Sequence, residues 1–495
     1  MTVAETHDTG REVVIGIDLG TSSLKAVAVD RNGHVLARAN SAYRTSRPEE
    51  GAAEQSPTDW IAAFHAVATA IGISVEPSRW VAIGLSGMLP TLVCLDEDRT
   101  VVGPAITWED GRAEAEGALL TQRVGGDVLY SLTGQRVDGR YLLPMFSRLR
   151  NSGNPLLDEV TTIAGAKDYL FWFLTGELLT DPSTAAGYGA YDLNRQEWDS
   201  AVLELASSPK LPDVVLSSDH RPMLPTLAAV IGCIPGLPIV LGAADSVLGA
   251  YGLGATSQGD VAYIAGTSTV IFGHSDDLLL DPHKRYLVTP TAGDAFGMEM
   301  DLLATGAAHD WLANLFDLPG GAAEIATLAA TVSASAHPLF LPYLTPGEQG
   351  ALWDPSLTGT LHGMTLRTGR AETARALVSG IIIESRRAIS VLSDAFGPRQ
   401  SSDIMISGSS ASTPAFQQDL ADATQRTVLS QLQTTDHSAI GAAYLAARAA
   451  LGWQIQTSRP ANVTRPDLSR GSFWDDLAQE HDALRQSLQR GGPGE

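Results

Sequence analysis

Two α/β domains of similar construction are what this sequence predicts. Three observations carry that expectation. The length, 495 residues, exceeds one ordinary hydrophobic core and fits two. The chain opens with three strands, a helix and a further strand. A strand–turn–strand unit near the start recurs about half a chain later, and recurrence of this kind marks a repeated architecture.

The opening is legible element by element. Val13-Val14-Ile15-Gly16-Ile17-Asp18 is an apolar, β-branched run, followed by the turn-rich Leu19-Gly20-Thr21-Ser22-Ser23. Leu24 to Asp30 alternates again, Asn32-Gly33 signals a tight hairpin, and Val35 to Ala39 makes a third strand. Trp60, Phe64, Val67 and Ile71 recur at helical spacing, with Thr58 as the expected cap. Val81 to Leu85 is then a buried strand. Three strands, a helix and a strand form the start of a ribonuclease H-like unit. The repeat is Val261 to Ala265 running into Gly266-Thr267-Ser268, with Val270–Phe272 leaving. Two such loops, aimed at one cleft, are the simplest account.

Later elements complete a second domain. Ala371 to Phe396 is a long amphipathic helix ended by Gly397. Asp403 to Ile406 is a strand, and Ser407 to Ser412 a small-residue loop. Thr413-Pro414 opens another helix, and Ser438 caps a last core helix, Ala439 to Leu451, that stops at Gly452. Ser472 to Arg490 reads as a surface helix with Phe473, Leu477, Leu484 and Leu488 on one side. The expected division is 13–252, 253–452 and a tail, 453–495.

Composition narrows the function classes. Lys and Arg number 33 against 56 Asp and Glu, a formal charge of −23, which excludes the electrostatic footprint of a nucleic-acid binder and of a protein drawn to anionic membranes. Two cysteines, Cys94 and Cys233, allow neither a disulfide framework nor a cysteine-based zinc site. Met1 to Glu12 is polar and acidic, and no run approaches the roughly 20 apolar residues of a membrane span. The expectation is a soluble, cytoplasmic protein. No Gly-Lys pair, Gly-x-Ser-x-Gly or His-Glu-x-x-His occurs, and the 11 histidines lack metal-ligand spacing.

What remains is the pair of Gly-Thr-Ser loops and well-placed aspartates. Backbone N–H groups in such a turn, with Thr and Ser hydroxyls, can cradle phosphate oxygens without a lysine. Asp18 either bonds its own turn or lies beside phosphates that a cation must bridge; with two such loops present, the metal role is favoured, and Mg²⁺ suits oxygen ligands. Asp245 follows the apolar strand Pro238–Leu241 and the small Gly242-Ala243-Ala244. It can act as a general base, cap the helix that starts at Ser246, or do both.

These motifs resemble the FGGY carbohydrate kinases, most of all their xylulokinase branch, in order from about Val13 to Gly452. Gly16 to Ser23 looks like the first phosphate motif. Leu85-Ser86-Gly87-Met88 and Ala105 to Arg112 resemble the sugar-site segments. Lys167-Asp168-Tyr169-Leu170, Leu174-Thr175-Gly176-Glu177 and Asp181 to Gly187 resemble the stretch that follows. Gly242-Ala243-Ala244-Asp245 resembles the catalytic-base motif and Gly266-Thr267-Ser268 the second phosphate motif. Gly306 to Trp311 resembles the nucleotide segment. Leu341 to Leu344 and Gly359 to Met364 resemble the C-terminal signature region.

The resemblance implies two actin-like domains flanking a central cleft, with ATP and a small sugar as substrates and Mg²⁺ as the cation. It implies Asp245 as catalytic base and Asp18 at the metal. It places phosphates and nucleotide at Gly20, Thr21, Ser22, Gly266, Thr267, Gly306, Asp310, Gly408, Ser409, Ser410 and Ala411. The sugar is expected against Met88, Leu89, Pro90, Trp108, Glu109, Asp110, Asp245 and Ser246. Many relatives dimerise, so a homodimer is an expectation as well.

Two departures stand out. Gly408-Ser409-Ser410-Ala411 replaces the usual Gly-Gly-Gly-Ala, and serine lacks glycine's left-handed freedom. Met88-Leu89-Pro90-Thr91 replaces the usual Gln-Met-His-Gly, which removes an imidazole from the sugar pocket. A ketopentose such as D-xylulose is the first expected substrate, gluconate, erythritol or another polyol the alternative, and a non-catalytic sugar- or nucleotide-binding relative the third reading.

Overall fold

The apolar run at the start becomes β1 (Val13–Leu19), buried along its whole length. β2 (Ser23–Asp30) returns antiparallel to it and β3 (Val35–Ala42) antiparallel to β2, the turn between them being made by Gly33 at φ 85°. This computed structural model describes residues 12–490 except 154, 207, 334–337, 346–347, 400, 402, 432–434 and 456–459, so the polar start before Glu12 lies outside the described residues. α1 (Pro57–Ser74) buries Trp60, Phe64, Val67 and Ile71, as their spacing predicts. Its N-cap is Ser56, not Thr58. Pro57, with its fixed φ and no N–H to satisfy, starts the helix two residues earlier. β4 (Trp80–Gly87) runs parallel to β1, and β5 (Pro238–Ala244) parallel to β4. α2 (Ala166–Thr175) packs against β4 and β5, and α3 (Asp245–Leu253) leaves β5 directly.

The repeat is realised in a second sheet. β6 (Val261–Ala265) pairs antiparallel with β7 (Thr269–Ser275), parallel with β8 (Asp403–Ser407), and β8 parallel with β9 (Thr427–Ser430). The order β7-β6-β8-β9 reproduces β2-β1-β4-β5: a hairpin partner on one side, two parallel strands on the other. α4 (Gly306–Leu315) and α5 (Arg370–Phe396) follow, α5 starting with a capping box, where the Glu372 carboxylate accepts from Gly369 N at 2.9 Å, and ending at Gly397. α6 (Pro414–Thr424) is capped by the Thr413 hydroxyl, which accepts from Phe416 N. Residues 409–411 are one 3₁₀ turn, not the open loop expected from their composition.

The chain then goes back to the first sheet. α7 (His437–Leu451) packs on β1, β4 and β5. It begins before Ser438, with Asp436 at the N-cap position; the Ser438 hydroxyl is spent elsewhere, donating to the Asp245 carbonyl at 2.8 Å. The chain accordingly divides into one compact unit of Met1–Gly252, Val288–Phe296 and Asp436–Thr457, and another of Leu253–Leu287, Gly297–Thr435 and Ser458–Glu495. In the second unit α8 (Gly471–Arg490) lies on α5 and α6 through Trp474, Leu477 and His481; Phe473 is only half-buried and Leu488 exposed. The buried face is rotated from the expected stripe because an indole and an imidazole belong to it. No helix among the described residues is long and apolar enough to cross a membrane.

α7 sits on the strands backbone to backbone. A Cβ on Gly16 would stand 1.8 Å from Ala439 O, one on Gly84 2.1 Å from Ala442 O, and one on Gly441 1.9 Å from Leu248 O of α3. A Gly84→Ala variant is therefore expected to lose about 3 kcal/mol of stability or more, measured by urea unfolding, because the obstacle is backbone and cannot rotate away. A second prediction concerns α4. Burial pushes His309 down to about 4, and its Nε2 meets no hydrogen-bond partner among the described residues. The unfolded chain takes up that proton near the ordinary value of about 6.5. The neutral ring's contribution is thus full above that pH and is lost as pH falls toward 4. His309→Leu should flatten this part of the stability–pH curve, read from melting temperatures between those two values.

Candidate active site

In the first unit, β1, β4 and β5 are parallel, and their register puts Asp18 beside Ser86, and Ser86 beside Ala243. The carboxyl ends of all three strands therefore form one edge, where loops of open α/β sheets bind ligands. Asp18 and the Gly20–Ser22 loop lie at the end of β1, Met88–Pro90 at the end of β4, and Asp245 at the end of β5.

Asp18 is almost fully buried, and its Oδ1 accepts from the Ser86 hydroxyl at 2.9 Å. Burial raises its pKa; Lys25, opposite on β2, and Ser86 oppose that shift, while Asp436 adds to it. The loop beyond is held by its surroundings. The Tyr43 hydroxyl donates to Gly20 O, Gln55 Nε2 donates to Thr21 O at 2.7 Å, and Trp108 Nε1 donates to Thr21 Oγ1 at 3.0 Å. Burial and the Asp18 carboxylate push the Tyr43 phenol well above its usual range, so it stays a donor. Ser22 is exposed, and Thr21 half-exposed.

Trp108 thus ties a predicted sugar-site segment to a predicted phosphate loop. Asp110 does something different. Its Oδ2 accepts from Ala53 N at 2.9 Å, and both its oxygens accept from the Arg112 guanidinium, which also bonds Glu49 and Glu54. Asp110 therefore shapes its own turn, and Glu109 pairs with Arg47 at 3.2 Å. Met88 is buried, and the Leu89–Pro90 peptide is cis, packed on Gly187.

Asp245 is the first residue of α3 and half-buried; its Oδ1 accepts from Ser246 N at 2.8 Å, and Ser246 is buried. The strand before it is irregular. The β4–β5 register breaks between Val240 and Ala243, and Gly242 adopts φ 74° with its α-carbon so near β4 that a Cβ would fall 1.5 Å from Leu85 O. No other residue type fits both the angle and the approach.

The second unit assembles its own group. A Cβ on Gly306 would lie 2.2 Å from Gly266 O, and one on Gly408 1.7 Å from Ala265 O. Ala307 N donates to Thr267 O at 2.9 Å. The Gly266–Thr267 loop, the start of α4 and Gly408 are therefore gathered at one place, with Ser410 beside Gly266 O. Asp310 is exposed one turn along α4, Ser409 is exposed, and Ala411 is buried. Of residues 408–411 only Gly408 has positive φ, so the serines, held in a 3₁₀ turn, forgo nothing by lacking glycine's freedom.

The comparisons with known proteins bear on this arrangement. The N-terminal domain model of the FGGY family of carbohydrate kinases matches residues 13–252, and the C-terminal domain model residues 261–450. This chain belongs to the FGGY family. It is a carbohydrate kinase, a phosphotransferase with the family's two-domain actin-like fold. Among its FGGY relatives, a xylulose kinase from Bacillus subtilis is 30% identical over 89% of this chain and 88% of its own length. A gluconokinase of the same organism is 26% identical over 74% of each. The crystal structure of xylulose kinase from Rhodospirillum rubrum, 29% identical, superposes with a TM-score of 0.87 over 97% of this chain and 99% of that one.

The residues present fit a magnesium ion. No three or more His, Cys, Asp or Glu side chains gather into a cage among the described residues. A cation at Asp18 would take most ligands from water and phosphate, which is how Mg²⁺ is usually held. It would also offset a carboxylate whose charge burial disfavours.

Sequence reasoning passed over Tyr43 and Gln55, and placed Ser86 and the buried Lys167, Asp168 and Asp181 in family-like segments without giving any of them a role of its own. The first three are polar residues in ordinary strand or loop contexts and carry no signal alone. Lys167-Asp168 did carry one, as two charges opening the apolar run of α2. One prediction follows from the burial of Asp18. Because burial disfavours the charge on Asp18 in the ligand-free fold, Asp18→Asn should raise the melting temperature by about 2 °C while lowering kcat by roughly 10²-fold or more. Calorimetry and a steady-state assay on one preparation check both signs.

Proposed function

We propose that this kinase phosphorylates a hydroxyl of a small sugar, a ketopentose such as D-xylulose first, with ATP as donor. The observation that carries the reading is the common edge of β1, β4 and β5, with Asp18 and the Thr21 loop at one strand end and Asp245 two strands away. Residues 13–252 supply the sugar site and base, and the Gly266, Gly306 and Gly408 group supplies nucleotide contacts.

Asp245 takes the proton of the attacking hydroxyl. The hydroxyl oxygen bonds the γ-phosphorus as the bond from that phosphorus to the β,γ-bridging oxygen breaks, and ADP leaves. Backbone amides and hydroxyls of the Gly20–Ser22 and Gly266–Thr267 loops hold phosphate oxygens, with no lysine-lined groove. Asp18 would hold Mg²⁺, which when bound would supply charge neutralisation on the phosphates.

Xylulose kinases among the relatives support the ketopentose. A gluconokinase relative, together with Met88-Leu89-Pro90-Thr91 in place of the usual Gln-Met-His-Gly, supports gluconate as the second reading. ADP release against D-xylulose, gluconate, glycerol and erythritol decides. D-xylulose is expected to have a kcat/KM about tenfold or more above each of the others, and gluconate in first place would overturn the assignment. Asp245→Asn should lower kcat roughly 10³-fold with the best substrate; undiminished turnover would sink the base.

A further inference from the structure

Behind Asp245 lies a fully buried charged cluster with no role so far. Lys167, Asp168, Asp181 and Ser183 are all 0% exposed. Lys167 Nζ stands 3.1 Å from Asp181 Oδ1, 3.6 Å from Asp168 Oδ1, and 3.2 Å from Leu241 O, to which it donates. Asp181 Oδ2 accepts from Ser183 N, from the Ser183 hydroxyl and from the Ser217 hydroxyl. The Ser183 hydroxyl in turn accepts from Ala244 N at 2.9 Å, and Ser217 O accepts from Gly242 N at 2.9 Å.

These bonds fall on one short stretch. Where the β4–β5 ladder breaks, Leu241 and Gly242 need other partners for backbone groups that would otherwise be buried and unpaired, and Ala244, paired again with Gly87 just beyond, gives its N–H to Ser183. Each of the three is held by this cluster, and the next residue is Asp245. A buried ion pair is a poor source of stability, because desolvation offsets its attraction and well-packed apolar residues often do as well. It can, however, fix one geometry among several. We infer that Lys167, Asp181 and Ser183 are positioning residues that set the bulged end of β5 and thereby the place of the Asp245 carboxylate. This inference rests on Asp245 being the base.

The test uses the full chain with ATP, Mg²⁺ and the best sugar of the panel. Ser183→Ala is expected to lower kcat about 10- to 100-fold, since misplacement by an ångström costs that much, with sugar KM within about threefold of wild type. Ser183→Thr, which keeps the acceptor, should restore most of it. In an Asp245→Asn background, Ser183→Ala should change the residual kcat by less than about twofold, because a group acting through the base has nothing left to position. Ser217→Ala, which removes only one bond to Asp181, should show a smaller loss of the same pattern and covers a failure of Ser183→Ala to fold. Equal losses in both backgrounds mean a merely structural role and overturn the inference, as does wild-type kcat in both serine variants. If Asp245→Asn alone keeps full activity, the base reading falls and the inference with it. An inactive Asp245→Asn beside an unaffected Ser183→Ala overturns the positioning role alone.

Discussion

The first unit is organised by one close contact: α7 lying on β1, β4 and α3 with no side chain between the backbones. Gly16, Gly84, Gly252 and Gly441 are all at positions where a Cβ would overlap a carbonyl or amide of the facing element. Backbone against backbone leaves little freedom to slide, so the strands keep one register relative to the helix. The same helix sends Ser438 to the Asp245 carbonyl. The two aspartates at the strand ends are thus referred to one rigid body, Asp18 through β1 and Asp245 through α3.

The charge distribution fits a protein that handles polyanions while carrying −23 overall. In place of a cationic groove there are two turn-rich loops, one held by Tyr43, Gln55 and Trp108 and the other by Gly306 and Gly408. The two loops are not equivalent. Aligned on Gly20 and Gly266, the position of Asp18 is occupied by Ile264, although Ser407 stands across from Ile264 as Ser86 stands across from Asp18. The duplicated frame keeps the strand pairings and the glycine turn but carries the acid once.

Much of this was legible in the sequence because it is written locally. The strand–Gly-Thr-Ser–strand unit, the Asn32-Gly33 hairpin, the stripe of α1 and the Thr413-Pro414 helix start depend on neighbours a few residues apart, and each forms as expected. What failed depends on partners far along the chain. Ser438 looks like a cap until the Asp245 carbonyl claims its hydroxyl. The bond from Ala53 N to the Asp110 carboxylate was likewise beyond local reading, whereas its neighbour Arg112 was in view. The buried face of α8 was misplaced because Trp474 and His481, amphipathic side chains, read as surface residues until α5 and α6 are in place beneath them. The serines at 409 and 410 looked costly only because their backbone angles were unknown.

The position of α7 in the chain also bears on how the protein is made. The helix that covers β1 and β4 is encoded after nearly the whole second unit. During synthesis the first unit's sheet must therefore wait, its glycine-lined face uncovered, until residues 437–451 leave the ribosome. The closing contacts have very large sequence separation, a class that slows folding and prolongs exposure of apolar strands. The second unit has no comparable dependence for β6, β7 and β8, whose pairings are complete once Ser407 has emerged. The half of the chain translated first thus cannot close until most of the other half has been made.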